Sequence, residues 1–488
     1  MGYGYLRIRE STFEIMDDLL RRSIDLANNT PLSGMRGSTL ETIALILTKI
    51  GKLADLKRVL SQVKDRVVCI ELLKTVGIEL AREGYYDLAL KIIEDISVDM
   101  LGMDIINGAP WSSVFESTYA PITSGGDLLA RDELLKTIAI QASKNNDLHL
   151  AEKTIMSIIT PYIRAEALGE LALAYCKVGM MLEGIRRFIA SLDMLDKMEQ
   201  IAVSDGRVYD LNVLSKSISL RGNLAFKVQV AGFRELSREL INNVLESLAN
   251  IYDDKYRLST LISIIRSSRT IEGSFDDMGL TDYAVNEAKK TDDNYYKALL
   301  LKEVALHHHK HRRLGNFIMA IRDAVNAAFG LPKSHHRDKL LREIAMDCLR
   351  VGIFGCPRYL ADKISDEKMR TELLCDISAA MIRKGYSNFA LELIEKVQKT
   401  IRNGLDETHR AQLLGKIMRV FAQAGKYEKI PIVYSEFLQN LRNIRNSYDK
   451  VAIISNTALS ILDILKKNQR CIPIKKNIMA NNTGIQLL

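Results

Sequence analysis

Apolar residues recur with helical spacing through most of the 488-residue chain. Leu72, Val76 and Leu80 precede Gly84, and the apolar residues of 88–96 follow it with the same spacing. A recurrence at every third or fourth residue places these side chains on one face of a helix. The pattern therefore predicts pairs of amphipathic helices that are separated by short polar breaks.

The breaks repeat a pair of marks that lie nineteen residues apart. Asp and Thr side chains accept hydrogen bonds from the free N–H groups of a helix start, and Gly and Asn tolerate the left-handed conformation that ends a helix. Each pair of marks therefore predicts one long helix, which a turn joins to a second helix. The pairs are Asp65 and Gly84, Asp127 and Asn146, Thr160 and Gly179, Asp366 and Gly385, and Asp406 and Gly425.

Further helix starts are predicted at Asp253, Asp293, Ser334 and Asn446. Neighbouring starts from 127 onward lie 32 to 41 residues apart, except for one interval of 93 that has room for two units. Gly232 is expected to end a first helix inside that interval. Repeats of this length are typical of helical solenoids. We therefore expect an all-α, right-handed α-solenoid of about ten to eleven antiparallel helix-turn-helix repeats.

Two of the turns carry a further signature. Ala89 and Ala390 each stand five residues after the glycine, and they are small enough to let two helices approach closely. In these features the chain resembles the tetratricopeptide (TPR) superfamily over about residues 38–465, although its period varies and its first helices lack the family's Trp. The resemblance implies a TPR-like array that binds a protein or peptide in a groove. The residues that carry it are Gly84, Tyr85, Tyr86 and Ala89, and Gly385, Tyr386 and Ala390.

The breaks also suggest a domain organisation, in which one interval departs from the repeat. The expected segments are an N-terminal helical cap at 1–37, helical repeats at 38–98, an irregular insertion at 99–126, helical repeats at 127–465 with joints near 201–213 and 267–280, and a basic flexible tail at 466–488. The insertion contains the only Trp of the chain, and Trp111, Phe115 and Tyr119 follow each other at four-residue spacing. These aromatic residues are candidates for partner binding, because Trp and Tyr dominate many interfaces. The alternative is a short helix that packs its aromatic residues on the array itself.

A basic residue often follows the helix start by four positions. A carboxylate cap with such a base indicates an ion pair on one helix face, or a tie to a neighbouring helix. A row of arginines directed at an anionic ligand is the alternative. The residues are Arg131, Arg164, Arg257, Lys297, Arg370, Arg410 and Lys450.

The formal net charge of +8 is concentrated at the C-terminus. After Asp463 the chain has five bases and no acid, so the rest of the chain carries only +3. We expect a solvated terminus. An electrostatic arm for RNA, DNA or an acidic protein is the alternative, although no aromatic residue is present there to stack on bases. The bases are Lys466, Lys467, Arg470, Lys475 and Lys476.

Six of the eight histidines lie between positions 307 and 336. His307 and His311 have the i,i+4 spacing that places two imidazoles on one helix face, as in some metal sites. Neighbouring cations oppose metal binding, and basic residues are favoured at a helix C-terminus. We therefore predict a solvated basic helix end and no metal site.

No catalytic or cofactor-binding motif is recognisable, such as a phosphate-binding loop or a dinucleotide GxGxxG. The six cysteines are scattered, and no long apolar segment is present, which favours a reduced, cytoplasmic setting without membrane contact. The leading hypothesis is a non-catalytic scaffold that needs no cofactor and binds a protein or peptide in the groove of the array. The alternatives are a nucleic-acid-associated protein that uses the basic tail and the histidine-rich corner, and a regulatory subunit of an enzyme. The sequence predicts no oligomeric state.

Overall fold

The computed structural model describes residues 15, 18–19, 21–22, 37–49, 56, 66–82, 84–98, 125–204, 207–208, 210–271 and 279–469. These residues form twenty longer helices, which confirms the all-α class. The helices are α1 (Gly37–Lys49), α2 (Arg66–Arg82), α3 (Tyr86–Val98), α4 (Gly125–Lys144), α5 (Leu148–Met156), α6 (Pro161–Lys177), α7 (Met181–Ala202), α8 (Leu211–Val230), α9 (Arg234–Ala249), α10 (Asp254–Thr270), α11 (Leu280–Lys290), α12 (Asn294–Lys310), α13 (Leu314–Phe329), α14 (His335–Arg350), α15 (Gly355–Lys363), α16 (Glu367–Arg383), α17 (Ser387–Gly404), α18 (Glu407–Gln423), α19 (Ile430–Asn443) and α20 (Ser447–Gln469).

Eight helix pairs are closed by the same turn. One residue adopts a positive φ, and the N–H of the next residue binds the carbonyl five positions earlier at 2.9–3.1 Å. This is the Schellman motif, which satisfies carbonyls at the helix end. The predicted helix ends are confirmed, and Gly352 is a further one that the sequence marks did not identify. The turn residues are Gly84, Asn146, Gly179, Gly232, Arg312, Gly352, Gly385 and Gly425.

The histidine-rich repeat closes at an arginine and not at the nearby glycine. Gly315 lies inside the first turn of α13, whereas Arg312 has the positive φ of 59°. The N–H of Arg313 binds the carbonyl of His308 at 2.9 Å. The position of the turn follows from this backbone bond, so a non-glycine residue accepts the left-handed conformation there, at a cost of about 1–3 kcal/mol.

Most predicted helix starts are N-caps. The side chains of Asp253, Asp293, Ser334, Asp366 and Asp406 each accept a hydrogen bond from a backbone N–H of the first turn. This interaction explains why the sequence marks locate the first helices so well.

Two starts differ in detail. Thr160 precedes Pro161 at the N-cap position, but its side chain makes no capping bond. The prediction that α4 starts at Asp127 is wrong by two residues, because the helix already begins at Gly125. Asp127 instead lies in the first turn of the helix.

The first helices of successive pairs pack against one another and form a layer. Contacts join α4 to α6, α6 to α8, α8 to α10 and α10 to α12, and they also join α14 to α16, α16 to α18 and α18 to α20. From α4 onward, each second helix packs on the first helix of its own pair. Ala89 and Ala390 at the start of second helices are fully buried, which confirms their expected role in close helix packing, and Ala151 is equally buried at the start of α5.

The helices form two units. One comprises Gly77–Pro332, and the other comprises Met1–Val76 with Lys333–Leu488. In the second unit, Leu19 and Ile46 share a hydrophobic core with Phe437. Thr42 Oγ1 donates to Asn456 at 3.3 Å, and Lys49 forms an ion pair with Asp463 at 3.0 Å. The N-terminal helix α1 therefore packs on the last helix, α20, which a simple linear array does not require.

A short interruption separates α7 from α8. Val203–Ser204 pairs antiparallel with Arg207–Val208 in a two-stranded ladder. This break lies within the interval 201–213, where the sequence loses its helical pattern. Within the described ranges, none of the helices combines the length and the apolar character that crossing a bilayer requires.

Candidate functional site

Most of the binding residues expected from the sequence lie beyond the described ranges. Trp111, Phe115 and Tyr119 belong to residues 99–124, which the structure does not describe. In the basic tail, Lys466 and Lys467 lie in α20, although their side chains are not described. Arg470, Lys475 and Lys476 also fall outside the described residues. Their binding roles stay predictions.

Polar side chains join neighbouring first helices in the unit Gly77–Pro332. Lys136 of α4 forms an ion pair with Glu166 of α6 at 3.0 Å. The hydroxyls of Ser219 in α8 and Ser263 in α10 lie 2.7 Å apart. Two arginines of α10 bind the buried carboxylate of Glu303 in α12, one of them Arg266 at 2.9 Å. The first-helix layer thus uses much of its own charge in internal contacts.

The other unit has an equivalent network on α14, α16 and α18. Arg342 pairs with Glu372 at 3.1 Å and with Asp376 at 3.4 Å. Lys416 reaches Glu372 at 3.3 Å. A ligand that bound these first helices would therefore compete with ion pairs that already neutralise the surface.

Two arginines that follow helix starts donate hydrogen bonds to the segment just before their helix, and one of them also donates to a neighbouring helix. Arg257 donates to the carbonyl of Ile251 at 3.0 Å and to Glu287 of α11 at 3.0 Å. Arg410 donates to the carbonyl of Leu405 at 2.9 Å. For these residues the tie to neighbouring elements is confirmed. The alternative, a row directed at an anionic ligand, gains no support from their contacts.

An Arg–Asp pair in α4 makes several hydrogen bonds at one of the junctions between helices. Asp132 Oδ2 accepts hydrogen bonds from the N–H groups of Ile159 at 3.1 Å and Thr160 at 2.6 Å. Arg131 Nη1 donates to Asp132 Oδ1 at 2.9 Å and to the carbonyl of Ser157 at 3.1 Å. The pair therefore holds the start of α6 against α4. We call this arrangement the Arg–Asp clamp.

A second Arg–Asp clamp lies in α14. Asp338 Oδ2 accepts from the N–H groups of Ser365 at 2.8 Å and Asp366 at 3.0 Å, at the start of α16. Arg337 Nη2 donates to Asp338 Oδ1 at 3.2 Å and to the carbonyl of Lys363 at 3.3 Å. In both clamps the aspartate binds the backbone 27 and 28 residues ahead.

Both clamps occur where the second helix is short. The helices α5 and α15 each have nine residues, whereas α7 has 22 and α17 has 18. When the second helix is short, the first helix of the next pair begins beside the N-terminal half of the preceding first helix. The repeat pattern did not predict the clamps, although both carry the signal Arg-Asp-x-Leu-Leu at 131–135 and 337–341.

The clamp carboxylate of Asp132 lies in a dry environment. Burial raises the pKa of the Asp132 carboxyl, and hydrogen bonds from Thr160 and the charge of Arg131 counteract this shift only in part. A buried carboxylate is tolerated when hydrogen bonds and a cation satisfy it. The clamps thus serve the structure of the array.

The histidine-rich segment is more buried than predicted. It does lie at the end of the first helix α12, but His307 and His308 are buried, so the prediction of a solvated helix end is wrong for them. The rings of His307 and His311 lie with their centroids 4.5 Å apart and their planes tilted by 40°, and His307 Nδ1 lies 2.9 Å from Ser268 Oγ. The imidazoles replace apolar side chains at the contact between α12 and α10.

No metal centre emerges from the part of the chain that the structure describes. Its His, Cys, Asp and Glu side chains form no group of three or more that could hold a metal ion. A small cleft between α6 and α8 is lined by Glu166, Asn223 and Lys227, among others. Its volume of about 190 Å³, including space open to solvent, is below the range of about 300–1,000 Å³ that is usual for ligand pockets.

Exposed apolar side chains cluster at the turn between α6 and α7. Val178, Met180, Met181 and Leu182 are between 39% and 74% exposed, and Leu182 is the most exposed of them. Gly179 makes the Schellman turn in their midst. We call these four residues the α6–α7 apolar turn. Methionine adapts its shape readily to different partners.

These observations define an all-helical repeat protein that is built from antiparallel helix pairs. No family model matches the sequence, and no curated protein is similar to it.

Two solved structures share a distant likeness with the chain. One is the crystal structure of Ton1535 from Thermococcus onnurineus NA1, at 16% identity and a TM-score of 0.25, covering 78% of this chain and 99% of that one. The other is a circular tandem repeat protein with a novel repeat topology, at 14% identity and a TM-score of 0.20, covering 93% of this chain and 91% of that one. Scores this low carry no argument about function.

Proposed function

We propose that the protein is a non-catalytic scaffold that binds a protein partner. The observation that carries the proposal is the α6–α7 apolar turn, where four large apolar side chains are exposed together. Contiguous exposed apolar residues are typical of interaction sites, whereas single ones are common on any surface. The packed helices α6 and α7 support this turn on both sides.

The first-helix surface is a weaker candidate for the binding site than the sequence suggested. Its charged residues pair with each other between neighbouring helices, as Lys136 does with Glu166 and Arg342 with Glu372. A peptide in a groove along these helices would have to replace such pairs. The α6–α7 apolar turn requires no comparable exchange.

We further infer a right-handed, TPR-like array. The support is the turn signature of Gly84 and Gly385, with fully buried alanines at 89 and 390. A reducing intracellular location remains a prediction from the scattered cysteines.

Partner capture with matched variants tests the proposal. The double variant Met180→Glu, Leu182→Glu places two charges on the α6–α7 apolar turn. Tyr252→Glu is the control, since Tyr252 is 73% exposed beside α10 but is not part of that turn. A specific partner is retained by wild type and by Tyr252→Glu and is lost by the double variant, with unchanged thermal stability. Equal capture by all three proteins would contradict the proposal.

Binding with purified components gives the affinity. Removal of an apolar hot spot costs about 2 kcal/mol or more, which corresponds to at least a roughly thirtyfold rise in Kd. The nucleic-acid alternative is tested separately, by titrating RNA and DNA at two salt concentrations with and without residues 466–488. Absence of binding at low salt, or binding that the deletion leaves unchanged, would exclude the tail mechanism.

The regulatory-subunit alternative also remains a prediction. Co-purification of an enzyme whose rate changes when this chain binds would favour it over a passive scaffold.

A further inference from the structure

Two cysteines face each other across the short hairpin α14–α15. Cys348 lies two residues before the end of α14, and Cys356 is the second residue of α15. Gly352 forms the turn between them, and the N–H of Ile353 binds the carbonyl of Cys348 at 2.9 Å. The backbone thus brings both thiols to the same end of one helix pair.

The two thiols lie close enough to interact, and the interaction raises the pKa of Cys348 and lowers that of Cys356. The repeat supports this geometry independently. Cys348 and Cys356 lie four residues before and four residues after the turn glycine. The same two positions around Gly425 are Phe421 and Lys429, and Lys429 Nζ lies 5.5 Å from the Phe421 ring centroid.

Their environments give the thiols different roles. Cys348 is buried, whereas Cys356 is half-buried and can be reached from solvent. The interaction with Cys348 lowers the pKa of Cys356, because it favours the thiolate of Cys356. The thiolate is the nucleophile in thiol–disulfide exchange. Cys356 is the thiol that a disulfide in solution can reach, so it is the attacking residue, and the buried Cys348 is placed to resolve the product.

We propose that Cys348 and Cys356 form a reversible disulfide by exchange with low-molecular-weight disulfides such as oxidised glutathione. The Cys356 thiolate attacks one sulfur of glutathione disulfide, forms a mixed disulfide and releases one glutathione thiolate. Cys348 loses its proton to that thiolate and attacks the Cys356 sulfur, which releases the second glutathione. Two protein thiols are oxidised, and one glutathione disulfide is reduced to two thiols.

The bridge would link the two helices of the hairpin that carries the Asp338 clamp. The modified site would be the turn between α14 and α15, and it would be independent of partner binding at the α6–α7 apolar turn. Because the closed loop is short, the modification alters the hairpin locally.

Peptide mapping tests this proposal directly. The full-length protein is equilibrated with glutathione buffers of graded ratio, alkylated and digested with trypsin. Cleavage after Arg342, Arg350 and Arg358 places the two cysteines in separate peptides, 343–350 and 351–358, with one cysteine each. The expected product is a linked pair of these peptides, about 2 Da lighter than the sum of the reduced peptides, which increases with the oxidised fraction and disappears with dithiothreitol.

Variants establish the order of attack. Cys348→Ser is expected to retain glutathione on Cys356, since the resolving thiol is absent, whereas Cys356→Ser leaves Cys348 free of glutathione. Cys375 is the internal control, because complete burial raises its pKa to about 12 and it should stay reduced. Unlinked peptides at every glutathione ratio would overturn the proposal. Glutathione on Cys348 in the Cys356→Ser protein would also overturn it.

Discussion

The hairpins α14–α15 and α6–α7 solve the same packing problem in different ways. In α14–α15 the second helix has nine residues, and Asp338 on the first helix binds the backbone that starts α16. In α6–α7 the second helix has 22 residues, and the position that matches Asp338 is Ala165. Ala165 is buried, and its carbonyl accepts a hydrogen bond from Ser191 of α7 at 2.8 Å.

The length of the second helix therefore decides which side chain the first helix needs. A long second helix continues over the first helix and covers it, so a small apolar residue suffices. A short second helix turns back early, and the unpaired N–H groups of the next helix start arrive at the same place. Buried N–H groups need acceptors. The Arg–Asp clamp supplies one in both short hairpins.

The largest loss of stability is expected when an aspartate is placed at the matching position of the long hairpin. Ala165→Asp buries a carboxylate where no helix start is available to bind it, and it also overfills the site. We expect a loss of about 4 kcal/mol or more in the free energy of unfolding. Urea unfolding followed by circular dichroism measures the loss. Ala165→Asn should lose clearly less, and equal losses for both variants would show that the charge is irrelevant.

Removing the clamp carboxylate is expected to rank next. Asp338→Ala leaves two backbone N–H groups and a buried arginine without their acceptor, which costs about 3–5 kcal/mol. Asp132→Ala should cost less, because the Arg131 side chain is 17% exposed and that of Arg337 only 7%. The control is Asp323→Ala in the exposed Arg-Asp pair of α13, with a change within about 0.5 kcal/mol. A reversed order of the two clamps would contradict the role of arginine burial.

Replacing the clamp arginine should be milder. Arg337→Met removes the cation but leaves the Asp338 carboxylate bound to two N–H groups, so we expect a loss of about 1.5–3 kcal/mol. Arg131→Met should fall at or below the lower end of that range. Thermal unfolding of the two variants beside wild type provides the comparison. A loss larger than that of the matching Asp→Ala variant would mean that the arginine, and not the aspartate, holds the junction.

The smallest effect concerns pH. Burial raises the pKa of Asp132 above the ordinary value of 3.8, so folding favours its protonated form. Its titration contributes stability that is fully present below pH 3.8 and is lost as pH rises through the folded-state pKa. The unfolding free energy of wild type minus that of Asp132→Asn should therefore increase as pH falls from about 7 to about 4. The increase should be about 1.4 kcal/mol for every pH unit by which the pKa is raised. A difference that narrows would show that the hydrogen bonds outweigh burial.

The sequence predicted the helix starts and ends well because each depends on a local contact. Asp253 and Asp366 cap helices through neighbouring N–H groups, and Gly179 and Gly385 adopt the backbone conformation that a turn requires. Arg312 escaped prediction because its turn is held by backbone bonds that leave no mark in the residue type.

The contacts between helices could be predicted only in part. The burial of His307 depends on Ser268, which lies 39 residues away. The clamps depend on the short second helices α5 and α15, whose lengths show in the 33- and 32-residue periods, while Asp132 and Asp338 resemble ordinary surface acids. The α6–α7 apolar turn was missed because Met180 and Leu182 look like core residues until their exposure is known.

Amide hydrogen exchange at the two clamped junctions tests the account most directly. Wild type, Asp132→Ala and Asp338→Ala are compared by mass spectrometry of peptides that contain residues 159–160 and 365–366. If each aspartate protects the two N–H groups that it binds, Asp132→Ala speeds exchange at 159–160 alone, and Asp338→Ala speeds exchange at 365–366 alone. Unchanged exchange at both junctions, or equal acceleration at both by either variant, would contradict the claim that each short hairpin is held by its own Arg–Asp clamp.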